Sequence, residues 1–148
     1  MKARFTILLV FSLLFSTANA QQDSVWVCDV KFTNSEFDNA HAGSGFLLKH
    51  GKKVYGITAK HVLFFAKTES MKTVSFGDEL KSWTLRSVNS SSKNIELGKL
   101  INEDKEEMIA MPPKGDCLVF EIKEALPKTA KIHSIRETPL KTSEEVFF

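Results

Sequence analysis

A histidine and an aspartate are the residues through which this sequence could do chemistry. His61 stands near the end of the stretch from Gly43 to Leu63, GSGFLLKHGKKVYGITAKHVL, and Asp116 opens the apolar run Asp116 to Ile122, DCLVFEI. An imidazole can take the proton from a hydroxyl, which is otherwise a poor nucleophile. A carboxylate on the second ring nitrogen fixes the tautomer and stabilises the imidazolium that forms. Asp116 could take that second role; it precedes an apolar strand, whereas Asp78 lies in a turn and Asp104 in a charged segment. Each residue also has a plainer reading. A histidine among apolar neighbours is commonly structural, and Pro112-Pro113-Lys114-Gly115-Asp116 is turn chemistry.

The segments around these two residues must place them. Gly43 to Leu63 reads as two short strands joined by the turn His50-Gly51-Lys52. Phe46 and Leu48 supply the apolar alternation of the first strand, and Val54, Ile57 and Ala59 keep the second largely apolar around Tyr55 and Gly56. Gly43 and Gly45 allow close backbone approach, and the small Thr58-Ala59 pair leaves His61 room to face a cleft. Lys60 to Lys67 predicts one or two helical turns, with Val62, Phe65 and Ala66 available for a buried face. Further strands are expected at Val25 to Phe32, Thr73 to Phe76, Trp83 to Val88, Ile95 to Ile101 and Asp116 to Ile122. Turn residues separate them at Phe76 to Glu79 and Asn89 to Asn94. The charged Asn102 to Glu107 reads as a solvated loop and Met111 to Gly115 as a rigid connection. From Lys123 the chain is basic and loosely patterned, ending in Val146-Phe147-Phe148, which looks like a strand cut short. Short strands at this spacing predict an all-β barrel or sandwich.

Gly43-Ser44-Gly45-Phe46 followed by Ile57-Thr58-Ala59-Lys60-His61-Val62 resembles the opening of a trypsin-like serine peptidase. In that family a GSGF-type strand and a T-A-x-H segment place the catalytic histidine, and the two halves together are more specific than either alone. The resemblance runs from about Val25 to the C-terminus. It implies a six-stranded Greek-key barrel, the first of the family's two, with His61 as general base and Asp116 as its partner. Two positions depart from the pattern. Lys60 stands where a small residue usually precedes the histidine, and its ammonium would repel an imidazolium if it lay close. Leu118 stands where the family often has a small residue two places after the aspartate. The family's Gly-Asp-Ser-Gly nucleophile turn does not occur in the chain. Gly115-Asp116-Cys117 is superficially similar to its start, but that reading would use up the aspartate and lacks the following glycine; Ser134 and Ser143 have no glycine context. The expectation is therefore the N-terminal half of an exported trypsin-like serine endopeptidase, carrying His and Asp of a Ser-His-Asp triad, lacking the second barrel and inactive alone. The alternative is a secreted, non-catalytic protease-homologue β-barrel acting as a binding module. A small-ligand barrel is a third reading, which leaves the His and Asp matches as coincidence.

Composition sets the frame. Within 148 residues, Lys2 and Arg4 precede an apolar run from Phe5 to Phe15, and Ala18-Asn19-Ala20 fits a signal-peptidase site. The run falls short of the roughly 20 residues that span a bilayer. Residues 1–20 are thus expected to be a signal peptide and 21–148 one barrel domain, secreted or periplasmic, with no membrane anchor after cleavage. Losing Lys2 and Arg4 leaves equal numbers of basic and acidic residues, which gives no reason to expect a nucleic-acid partner. A peptide or protein substrate is expected only once a second barrel completes the site. His41, His50, His61 and His133 are scattered without metal-ligand spacing, and Gly43-Ser44-Gly45 lacks the rest of a phosphate loop, so no metal or cofactor is expected. Asn89-Ser90-Ser91 is a glycosylation sequon, which matters only in a eukaryotic source. Cys28 and Cys117 could pair in an oxidising compartment; if Leu118, Phe120 and Ile122 face the core, their sulfurs point different ways.

Overall fold

The structure is a computed structural model and describes residues 24–88 and 93–138. Among the described residues nine strands run in chain order: β1 (Trp26–Phe32), β2 (Asn39–His50), β3 (Lys53–Thr58), β4 (Thr73–Val74), β5 (Leu80–Ser87), β6 (Asn94–Leu100), β7 (Asp104–Met108), β8 (Leu118–Ile122) and β9 (Ile132–Ser134). Six of them close an antiparallel barrel in the order β1-β5-β6-β8-β3-β2 and back to β1. After the long connection from β3, β5 returns to lie beside β1, so the spatial order β5-β1-β2-β3 is a Greek key.

Alternation fills the barrel. Trp26, Cys28, Val30 and Phe32 of β1 point inward and are essentially buried, as are Trp83 and Leu85 of β5, Ile95 and Leu97 of β6, and Leu118 and Phe120 of β8. Trp83 packs against Phe120 and Phe76, with ring centroids 5.1 and 5.6 Å away. The closing strand β1 pairs with β5 along its whole length and with the first half of β2. Beyond Gly45, which lies opposite Trp26, the freed edge of β2 takes up the short β9 in parallel at Leu47 to Lys49.

Several local expectations need correction. The buried residues of β2 are Ala42, Gly45 and Leu47; Phe46 is exposed outside the barrel, its ring edge-on to His133 of β9 at 5.8 Å. The glycine sets this parity. A Cβ at Gly45 would stand 2.8 Å from the Ile57 carbonyl oxygen and 2.8 Å from Leu85 Cδ2, so the inner face of β2 has room for hydrogen only at this position. Asp104–Met108 within the charged segment is a strand, paired with β4 as a separate two-stranded ribbon. Its polarity remains because none of its five residues is buried, whereas Val74 of the partner strand β4 is fully buried in the core. The turn after β3 is a 3₁₀ helix, Lys60–Phe64, that buries Lys60, Val62 and Leu63, whereas Phe65 is three-quarters exposed. The strand expected at Asp116 to Ile122 starts at Leu118, which leaves Asp116 in the loop. Residues 1–20, expected to be a signal peptide, the Asn89 sequon and Val146 to Phe148 lie outside the described residues.

Candidate active site

Strand register brings the two candidate residues to one rim of the barrel. β3 and β8 are antiparallel with Thr58 opposite Leu118 and Ile57 opposite Val119. The chain leaving β3 therefore passes the chain entering β8. His61 lies three residues beyond Thr58 and Asp116 two before Leu118, so both stand just outside the same pair of strand ends.

The hairpin residues hold the histidine turn. Thr58 donates its hydroxyl to the Ser44 carbonyl at 2.8 Å and accepts a weak contact from the buried Cys28 thiol at 3.5 Å. Gly43 makes room for Val62, whose Cγ2 would lie 2.7 Å from any Cβ built there. The GSG and TAKHV segments are thus one packed unit: a larger residue in the first would push the histidine turn off the barrel.

His61 and Asp116 meet through two hydrogen bonds. Nδ1 of His61 lies 2.7 Å from Asp116 Oδ2, and the backbone N–H of His61 donates to Asp116 Oδ1 at 2.8 Å. Both side chains are about half exposed. The His61 ring and then its backbone N–H hold the Asp116 carboxyl below the usual carboxylate range, partly offset by desolvation. An ionised carboxylate only accepts, so Nδ1 is the donor and the neutral ring presents Nε2 as its basic nitrogen. Among the described residues, no hydroxyl or thiol hydrogen-bonds Nε2.

Lys60, the departure beside the histidine, points away from it. Its buried ammonium donates to Glu107 Oε1 and Oε2 at 2.7 and 2.8 Å and to the Lys114 carbonyl at 2.6 Å. The charge that would oppose an imidazolium is thereby paired. Asn102 steadies the start of β8, donating to the Cys117 carbonyl and accepting from the Val119 N–H, both at 2.8 Å. Neither contact was legible in the sequence; the only signal was a lysine set in an apolar frame with an unpaired acidic run downstream. Cys28 and Cys117 are both free, the first buried and the second exposed. Burial raises the Cys28 thiol above its ordinary value. Among the described residues, no cluster of three His, Cys, Asp or Glu side chains could hold a metal ion, and no helix is long and apolar enough to cross a membrane. Comparison with known protein families, curated proteins and solved structures found no match to this chain.

Proposed function

We propose that this chain supplies the general base and its orienting carboxylate to a two-barrel, trypsin-like serine endopeptidase that is exported from the cell. The observation that carries the reading is the His61–Asp116 pair on the rim of a Greek-key barrel, joined at both the ring and the backbone. In the complete enzyme, Nε2 of His61 takes the proton of a serine hydroxyl as it attacks the peptide carbonyl, and Asp116 stabilises the imidazolium. The same proton then passes to the leaving amine, and a water hydrolyses the acyl-enzyme. The serine and its oxyanion donors come from a second barrel. Without them a His-Asp pair has little with which to stabilise a tetrahedral intermediate, because each oxyanion donor contributes on the order of 10² to 10³ in rate.

A serine-directed fluorophosphonate tests this on two chains, the 148-residue protein and one extended through a downstream barrel with a Gly-x-Ser-Gly turn. The extended chain is expected to label, and His61→Ala to slow labelling by roughly 10² to 10⁴. Stoichiometric labelling of the 148-residue chain that disappears in His61→Ala overturns the proposal. The lack of a Gly-x-Ser-Gly turn in these residues favours one other reading, a non-catalytic protease homologue that acts by binding. A gene with no second barrel decides for it.

A further inference from the structure

The rim that carries His61 and Asp116 is held by a buried charge cluster that the dyad does not use. Lys60 is only 6% exposed, and its ammonium has three donors for three acceptors: both Glu107 oxygens and the Lys114 carbonyl. These partners lie on separate segments, Glu107 on β7 and Lys114 in the loop before β8. Lys60 and His61 are consecutive, and so they grip the same three-residue run at its two ends. Lys60 takes the carbonyl of Lys114, and His61 takes the carboxylate of Asp116 through its backbone N–H and ring. Between them Gly115 adopts φ +65° with nothing within 4 Å of where a Cβ would stand. Its role is conformational: the left-handed turn lets the carbonyl before it and the side chain after it face the same helical turn.

We infer that Lys60, Glu107 and Gly115 form a clamp that positions Asp116 against His61, with Lys60 as the principal positioning residue. Glu107 fixes the lysine inside the protein, and the lysine in turn fixes the Lys114 carbonyl. Asp116 is itself half exposed, so its two bonds to His61 compete with water unless the loop is held from elsewhere. That the positioned pair serves a catalytic triad rests on the function proposed above; the clamp itself is a statement about geometry.

The test reads geometry directly, by NMR of the full chain. The hydrogen-bonded Nδ1 proton of His61 gives a low-field resonance, and the Asp116 carboxyl carbon reports its titration. In Lys60→Met the low-field proton is expected to broaden into exchange with water, and the Asp116 titration to move up toward that of an ordinary carboxylate. Gly115→Ala should do the same without touching a charge. Lys60→Met with Glu107→Leu removes both charges and leaves apolar side chains, so the barrel can stay folded while the Lys114 carbonyl remains unheld. The clamp requires that this folded double variant still lose the low-field proton. Recovery of the proton in the double variant means that Lys60 serves only to neutralise Glu107, and it overturns the proposal. So does an unchanged resonance and Asp116 titration in Lys60→Met. The protease reading fails separately, in the fluorophosphonate experiment, whichever way these spectra fall.

Discussion

At the scale of single residues, the site is a matter of which proton goes where. Asp116 accepts from the backbone N–H of His61 and pairs with its ring, and these contacts hold its carboxyl low. A group whose folded-state pKa is depressed adds stability above its unfolded value, about 4 for a carboxyl, and that stability is lost as the pH falls through the folded value. Three other carboxylates are depressed in the same sense: Asp38 by the Phe32 N–H, Glu79 by Ser70 and Thr68, and Asp104 by the N–H groups of Glu106 and Glu107. The Cys28 thiol, raised by burial, acts oppositely, and its contribution is lost as the pH rises through its folded value. Urea midpoints should therefore fall on the acid side, below about pH 4, from their value at neutral pH. Asp116→Asn is expected to lower the neutral value and shallow the acid limb; a limb as steep as wild type would mean that Asp116 is not tied to His61 in solution. The pairing itself was legible through the resemblance, which implies a histidine after one apolar strand and an aspartate before another; residue type alone left both with structural readings. Lys60 was not. A lysine's partner lies wherever the fold puts it, and here that is 47 residues away.

At the scale of elements, β2 shows what alternation alone leaves open. Its residues Phe46-Leu47-Leu48 are apolar in a row, and either parity satisfies a period of two. Packing broke the tie. Gly45 sits where β1, β3 and the Leu85 side chain all converge, which puts Gly45 and Leu47 inside and leaves Phe46 to β9. Gly45→Ala thus sets a methyl against a backbone carbonyl that cannot swing away, and the expected cost is toward the upper part of the roughly 1–3 kcal/mol that overpacking brings. Gly51 makes the contrast. It stands in the two-residue turn between β2 and β3 at φ +58° with open space around it. Gly51→Ala should then cost only about 1–2 kcal/mol, from backbone conformation alone. Urea denaturation of both variants checks the order, and equal costs would place Gly45 somewhere other than the convergence of three strands. Of the ribbon, β4 falls within the strand expected at Thr73 to Phe76, whereas β7 was missed because its sequence, DKEEM, carries no apolar alternation.

At the scale of the whole molecule, barrel closure decides what the N-terminus must keep. Short strands at regular spacing were enough to read an all-β barrel or sandwich, and the resemblance chose the barrel; closure itself depends on pairing between ends of the chain, which no local pattern encodes. The closing strand is β1, bonded to β2 on one side and β5 on the other. Its first residue, Trp26, is fully buried and lies opposite both Gly45 and Ser87, so it seals both seams at once. A signal-peptidase cut after Ala20 would leave this strand whole, with residues 21–25 to spare. Exported protein is accordingly expected to begin at Gln21 by mass spectrometry, and a chain that starts there should unfold in one cooperative step. A chain that starts at Val27 should not. Deleting a buried tryptophan side chain alone costs about 3–5 kcal/mol, against the 5–15 kcal/mol that typically holds a domain together. Starting at Val27 also removes the backbone that pairs with Gly45 and Ser87, which opens the rim of both seams. Near-ultraviolet circular dichroism of the Trp83 and Phe120 cluster reports the outcome: a signal kept by the 21–148 chain and lost by the 27–148 chain places the closure at Trp26. A 27–148 chain that keeps the signal and the same urea midpoint would show that the barrel closes without it.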